Sequence, residues 1–294
     1  MRNINEDTIT QAVLEAMAGC TNDRLRTVMT SLVQHLHSFA RDVKLTEDEW
    51  RYAIDFLTDV GHITDDKRQE FVLLSDTLGL SMLVTTQNNR KPVECTEATV
   101  LGPFFVMGAP EYRNGDDISN GAAGLPCFVT GSVRGLSGEP VAGASLEVWQ
   151  SDEDGYYDVQ YGDPQDPNVA YQGRGRLQTL PDGRFHFRSI LAEAYPIPHD
   201  GPVGRMLDAL GRHPWRPAHL HFWIKAPGYE PLITHVFRNG DKYLDSDAVF
   251  GVRSTLVADW IQHPPGVAPD GTTMDTPFNT LNYDFVLNPS KHGS

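Results

Sequence analysis

Two histidines stand one residue apart in RPAHLHFW, residues 216–223, three residues after an arginine. What His219 and His221 can do depends on the backbone that carries them. On a β-strand, alternate side chains share a face, so both imidazoles can reach one metal ion. An earlier HLH contains His35 and His37 at the same spacing, but within a helical pattern. Residues two apart on a helix diverge by roughly 200°, so that pair cannot share an ion and reads as solvated or boundary histidines. A lone His-x-His on a strand is a weak metal signal, and ordinary polar strand residues remain the alternative.

Further oxygen donors lie upstream. GYYDVQY, residues 155–161, follows the β-rich run ASLEVWQ, and YPIPHDGP, residues 195–202, holds a tyrosine in a proline-bracketed loop. Loops on a β scaffold often carry function. Tyrosine is more often a packing residue with a bonded hydroxyl, and with ten tyrosines in the chain neither segment decides the matter alone.

The elements that must position these residues fall into two halves. Leu25, Val28, Leu32, Leu36 and Phe39 recur at helical spacing, with Met29 and Val33 in the same stripe. Thr46 followed by Glu49 forms a capping-box pattern ahead of Trp50, Ile54 and Leu57. A further helix is expected from Asp66 to Thr85. From about residue 105 the chain is rich in Gly and Pro, with short β-rich runs separated by turn signals such as Asp182-Gly183 and Asn239-Gly240. The expected fold is α+β by content: a helical domain over residues 1–104, then an all-β antiparallel sandwich over 105–294. MGAPEYRNGDDISNGAAG is expected to join the halves as a long surface segment. The helical stripes need a further surface to cover them, on the β domain or on a second subunit.

With 24 basic against 39 acidic side chains, the formal charge of −15 argues against nucleic acid or an anionic membrane as partner. Three scattered cysteines without a CxxC pair fit a reducing compartment. The N-terminal residues lack a signal peptide's apolar core, and the longest apolar stretch is too short to span a bilayer. The expected location is cytoplasmic, without membrane insertion.

The order of motifs resembles the intradiol ring-cleaving dioxygenases: Gly-x-Tyr after a Trp-containing strand, then Tyr-x-x-Pro, then Arg-Pro-x-His-x-His. The tyrosines stand 38 residues apart, and 24 residues separate Tyr195 from His219. With the helical N-terminal half, the resemblance covers nearly the whole chain. It implies one mononuclear non-haem ferric ion per chain, Fe(3+), held by Tyr157, Tyr195, His219 and His221. Tyr157 is preferred to its neighbour Tyr156 because the family's ligand comes two residues after the glycine, here Gly155. A hard ferric ion favours anionic oxygen donors, which suits tyrosinate. Two tyrosinates and a hydroxide balance its three charges, and a catecholate dianion can replace the hydroxide and one tyrosinate. The resemblance makes Tyr195 the displaced ligand and Arg216 the stabiliser of negative charge developing on the ring. A structural salt bridge is the plain alternative for Arg216. His235, at strand spacing from the site, either lies behind the ligands or is a surface strand histidine.

Family substrates are aromatic diols or triols cleaved with dioxygen between two hydroxyl-bearing carbons. The resemblance places the pocket walls at Leu73, Asp76, Val100, Leu101, Gly102, Pro103, Phe104, Ile197, Pro198, Arg216 and Val249. On a helical wheel Asp76 shares a stripe with Leu73, Leu80 and Leu83. A carboxylate there is either solvent-facing or salt-bridged, or it accepts a hydrogen bond from a third ring hydroxyl. Ser75-Asp76 and the run Val100–Phe104 resemble the family's hydroxyquinol (benzene-1,2,4-triol) branch, which implies conversion to 3-hydroxy-cis,cis-muconate and then maleylacetate. Catechol and chlorocatechol cleavage are the alternatives within the family. A non-catalytic ligand-binding sandwich is the alternative outside it. The family also implies a homodimer joined through the helical halves, often enclosing a phospholipid-like amphipath.

Overall fold

The computed structural model describes residues 2–65, 68–162 and 171–290. The chain forms two compact units, Met1–His62 and Ile63–Ser294. No helix among the described residues is long and apolar enough to cross a membrane.

The first unit contains α1 (Ile9–Ala16), α2 (Asp23–Asp42) and most of α3 (Glu47–Ile63). Asn22 caps α2 by accepting from the Leu25 amide at 2.9 Å. The expected capping box opens α3: the Glu49 amide donates to Thr46 Oγ1 at 3.3 Å, and Glu49 Oε2 accepts from the Thr46 amide at 2.9 Å. His35 and His37 turn to different partners, the Ser31 carbonyl one turn back and Thr10 on α1. Leu25, Val28, Leu32, Leu36 and Phe39 remain between 43% and 55% exposed along α2.

In the second unit the helix expected over 66–85 is two helices, α4 (Glu70–Thr77) and α5 (Leu80–Asn88); the expected start, Asp66, lies outside the described residues. Gly79, at φ +75°, takes the left-handed conformation that turns the chain between them. The stripe Leu73–Asp76–Leu80–Leu83 is therefore broken. Leu73 and Asp76 are buried, whereas Leu80 and Leu83 are exposed.

The strands are β1 (Pro126–Gly135), β2 (Ser145–Gln150), β3 (Arg174–Gln178), β4 (Arg184–Ile190), β5 (Tyr195–Pro196), β6 (Trp215–Arg216), β7 (His219–Lys225), β8 (Leu232–Arg238), β9 (Val257–Ala258), β10 (Trp260–His263), β11 (Gly266–Val267), β12 (Thr273–Met274), β13 (Phe278–Asn282) and β14 (Phe285–Leu287). One sheet runs β3-β2-β7-β8-β9; the other runs β10-β13-β1-β14, with β4 also on β1. Two short helices, α6 (Asp158–Tyr161) and α7 (Pro202–Ala209), lie in the connections. The sheets are mixed rather than purely antiparallel, because β13 and β14 lie parallel to β1 and β9 lies parallel to β8. Parallel pairing needs a long crossover, and most of the β domain separates β1 from β13.

Val129, Val133, Leu146, Val148, Phe185, Phe187, Leu281 and Phe285 fill the space between the sheets. Period-two alternation sends Leu220, Phe222 and Ile224 of β7 into this core. His219 and His221 must then point to the opposite face.

The segment joining the halves is less free than expected. The Tyr112 amide donates to the Arg176 carbonyl, the Arg176 amide donates to the Pro110 carbonyl, Ile118 donates to the Arg188 carbonyl, and Ile118 is fully buried. Upstream, the Thr96 and Thr99 amides donate to the carbonyls of Val286 and Ile233. Residues 96–99 are thus tied to strands of the second unit.

Candidate metal centre

His219 and His221 are each 1% exposed on the outer face of β7. Opposite them, β8 brings His235 into register with His221 and Phe237 with His219. His235 is therefore fully buried beside the pair and is not a surface residue. The Pro217 carbonyl accepts from His219 Nδ1 at 2.7 Å, which fixes the ring and leaves the Nε2 lone pair facing the site. Trp149 stacks on His221 at 4.6 Å between ring centroids.

Two turns bring in the tyrosines. Tyr157 caps α6 and is fully buried, while Tyr156 is 51% exposed, so only Tyr157 faces the histidines. Gly155, at φ +80°, lies where a Cβ would come 3.0 Å from the Ala194 carbonyl oxygen and 3.1 Å from Tyr195 Cβ. A side chain there would force the two tyrosine-bearing loops apart. Tyr195 pairs with Arg216 across the β5–β6 ribbon.

Four of the expected residues converge here. Tyr157 Oη is 2.8 Å from His221 Nε2 and 3.5 Å from His219 Nε2, and the two Nε2 atoms are 3.1 Å apart. Ligands about 2.1 Å from one ion, at angles near 90–110°, stand roughly 3.0–3.4 Å from each other. This triangle has the size a single ion requires. Tyr195 Oη closes the group, 3.4 Å from Arg216 Nη1. The donor atoms of His219, His221 and His235 also lie within 4.8 Å of one another, a looser set. Both ring nitrogens of His235 are buried without a hydrogen-bond partner among the described residues.

Burial keeps the imidazoles and the phenol of this group uncharged. Burial, then the nearby Arg216 charge, holds His219 down at about 3, so the imidazole is neutral. Burial, followed by His235 and His219, keeps His221 well below the usual range. Burial and then Tyr195 push the Tyr157 phenol well above its ordinary value. A bound metal ion reverses that last balance, because the tyrosinate gains a positive partner at its oxygen. Neutral imidazoles and buried phenols are thus poised to ligate metal.

Arg216 is 2% exposed and is held by a forked pair with Asp247: Nε to Oδ1 at 3.0 Å and Nη2 to Oδ2 at 3.2 Å. Burial opposes the guanidinium charge, but Asp247 and the tyrosines outweigh it. Asp247 also accepts from the amides of Val249 and Gly251. Breaking a buried pair of this kind costs about 3–5 kcal/mol. The plain salt-bridge reading of Arg216 is met by Nε and Nη2, which are spent on Asp247, while Nη1 faces Tyr195 Oη.

Around these groups, Phe104 stacks on Tyr157 with centroids 4.4 Å apart, and a Cβ on Gly102 would come 3.4 Å from His221 Cε1. Leu73, Ile197 and Val249 are buried; Val100, Leu101 and Pro198 are half-buried; Pro103 is exposed. Asp76 is only 6% exposed, which excludes a solvent-facing carboxylate. Burial raises its pKa, while Ser81 and the Arg216 charge lower it and Asp247 raises it again. Asp76 therefore lies within electrostatic reach of the site.

Several contributors were not read from the sequence. The resemblance marks Val249, but nothing in the sequence marks Asp247 two residues before it. Asp158 and Arg174 form a second buried pair, at 2.6 Å, and Arg174 also donates to the Phe104 carbonyl, fixing the ring that covers Tyr157. An acid directly after the ligand-candidate tyrosine was the one available signal for Asp158.

Known proteins place this arrangement in a class. Residues 100–289 match the Dioxygenase family, and residues 22–96 match the family described as Catechol dioxygenase N terminus. The chain is 59% identical over 290 residues to a 6-chlorohydroxyquinol 1,2-dioxygenase of Cupriavidus pinatubonensis, covering 99% of this chain and 100% of that one. It is 49% identical over 286 residues to a hydroxyquinol 1,2-dioxygenase of Nocardioides simplex, covering 97% and 96%. The solved hydroxyquinol 1,2-dioxygenase of Pseudomonas putida DLL-E4 superposes with a TM-score of 0.89 at 45% identity, covering 97% of this chain and 99% of that one. The chain belongs to the intradiol ring-cleavage dioxygenases. It is an enzyme, acting on an aromatic substrate with dioxygen, and the non-catalytic sandwich is set aside.

Proposed function

We propose that this enzyme cleaves hydroxyquinol between its adjacent hydroxyl-bearing carbons, giving 3-hydroxy-cis,cis-muconate and then maleylacetate. Asp76 carries the reading. A buried carboxylate costs energy unless partners satisfy it; Ser81 supplies one hydrogen bond, and a third ring hydroxyl would supply another. Catechol lacks that hydroxyl. The relatives named for hydroxyquinol and 6-chlorohydroxyquinol support the same choice.

One ferric ion per chain, held by Tyr157, Tyr195, His219 and His221, would bind the diol and make its ring carbons reactive toward dioxygen. The protein's residues do the rest. Tyr195 Oη would accept a substrate proton. Arg216 Nη1, 3.4 Å from Tyr195 Oη, would stabilise negative charge developing there. Asp247 keeps the guanidinium oriented without neutralising Nη1. Phe104, Ile197 and Val249 are buried apolar residues suited to excluding water from the ring. Asp76 accepts from the third hydroxyl and so fixes which way round the ring enters.

Oxygen uptake by iron-quantified protein tests this, with hydroxyquinol and catechol in parallel and an enzyme-free control for spontaneous oxidation. Hydroxyquinol is expected to be preferred by about a hundredfold in kcat/KM. Equal efficiencies, or preference for catechol, overturn the hydroxyquinol reading.

We further propose that the enzyme is a cytoplasmic homodimer, with residues 1–104 as its dimerisation region and an amphipath such as a phospholipid between the copies. The apolar stripe of α2 is exposed and contiguous enough to seek a partner. Three free cysteines suit a reducing compartment. Sedimentation at micromolar concentration is expected to give the mass of two chains; the mass of one overturns the dimer.

A further inference from the structure

Arg212 follows α7 and lies outside the metal centre, yet its guanidinium touches both acidic segments of the pocket. Nη1 donates to the Thr77 carbonyl at 2.6 Å, and Nη2 donates to the Ala248 carbonyl at 3.0 Å. Thr77 directly follows Asp76, and Ala248 directly follows Asp247. One planar fork therefore links the backbone carrying the hydroxyl acceptor to the backbone carrying the partner of Arg216. The Thr77 carbonyl ends α4, where a cation also complements the helix dipole.

Phe250 completes the arrangement. Its φ of +59° is in the left-handed region, which a non-glycine residue adopts only where its surroundings impose it. That conformation sets the ring beneath the guanidinium, with Arg212 Cζ 5.0 Å from the ring centroid. The same ring covers Gly79, where a Cβ would stand 3.5 Å from Phe250 Cδ2. Gly79 is the turn that breaks the helix and ends the segment bearing Asp76. Arg212 and Phe250 thus brace the helix break against the loop of Asp247.

We propose that Arg212, backed by Phe250, is a positioning residue that sets the distance between Asp76 and the Arg216–Asp247 pair, and so sets the preference for a ring with a third hydroxyl. The inference rests on the role of Asp76 proposed above. It assigns no contact with substrate to Arg212. Loss of the fork lets the end of α4 shift relative to the 247–251 loop, which weakens the bond to the third hydroxyl and leaves the diol end of the site unaltered.

Arg212→Gln, Arg212→Lys and Phe250→Leu would be compared with the wild type. The readouts are kcat/KM for hydroxyquinol and catechol, anaerobic binding of both, and iron content. Lysine keeps the charge but cannot span both carbonyls, so it should follow glutamine. Phe250 is 51% exposed, so its replacement tests the brace at a position that tolerates substitution. The expected result is about a tenfold or greater loss for hydroxyquinol, the order expected for a weakened hydrogen bond to a charged group. The loss should appear mainly in KM and in anaerobic affinity, with catechol binding and iron content unchanged. Equal losses on both substrates, or an unaltered preference in folded, iron-loaded variants, overturn the positioning role. A wild type without preference for hydroxyquinol overturns the reading of Asp76 and the brace together; a wild type with preference and variants that keep it overturns the brace alone.

Discussion

Tyr157→Phe is expected to leave a folded protein that no longer holds iron. The phenyl ring keeps its stacking on Phe104 and its edge contact with Tyr195, at 5.2 Å between centroids, so packing is preserved. Only the oxygen is lost, and with it one corner of the triangle formed with His219 and His221. Loss of an outer-shell partner typically weakens metal binding about 10–100-fold, and loss of a ligand atom should exceed that. Iron content after dialysis should fall below detection, with the tyrosinate-to-iron absorption, and turnover should fall with them. Unfolding of the iron-free protein should differ from the wild type by no more than about 1 kcal/mol. Tyr156→Phe, at the exposed neighbour, should change none of these. A fully metallated, active Tyr157→Phe would falsify its place as a ligand.

Asp76→Ala is expected to reverse the choice of ring. Removing the acceptor leaves the third hydroxyl of hydroxyquinol buried without a partner, and kcat/KM should fall by about two orders of magnitude. Catechol should be cleaved as well as before or better, because it has no third hydroxyl for the carboxylate to accept from. Parallel oxygen-uptake assays on the two substrates read the ratio directly. Losses of equal size on both substrates would mean that Asp76 supports the pocket as a whole and reads no hydroxyl. The same substitution should leave iron content unchanged, since Asp76 is not among the converging donors, and this separates it from Tyr157→Phe.

These two residues differ in how far the chain alone reveals them. The alternation of RPAHLHFW determines that His219 and His221 share a face and that Leu220, Phe222 and Ile224 take the other, because strand geometry is local and has period two. The capping of α2 and α3 is local in the same sense, and the order of tyrosines, arginine and histidines identifies the family. The glycine two residues before Tyr157 singles it out of an adjacent pair, and burial separates Tyr157 from Tyr156 in space. Depth and long-range partnership are not local. Asp76 looked like one residue of a continuous helical stripe; a left-handed Gly79, covered by Phe250 from 171 residues further on, ended that stripe and left Asp76 buried with Leu73. Asp247 became legible only when its loop met Arg216. His235 became a neighbour of the metal centre only when β8 paired with β7 in the register that opposes it to His221. The parallel placement of β13 and β14 beside β1 likewise depends on which distant segments meet. The donors are written in the chain because each needs only its own backbone to aim it. Their spacing, their charge balance and the burial of Asp76 were decided by tertiary structure, because each depends on partners brought from elsewhere in the fold.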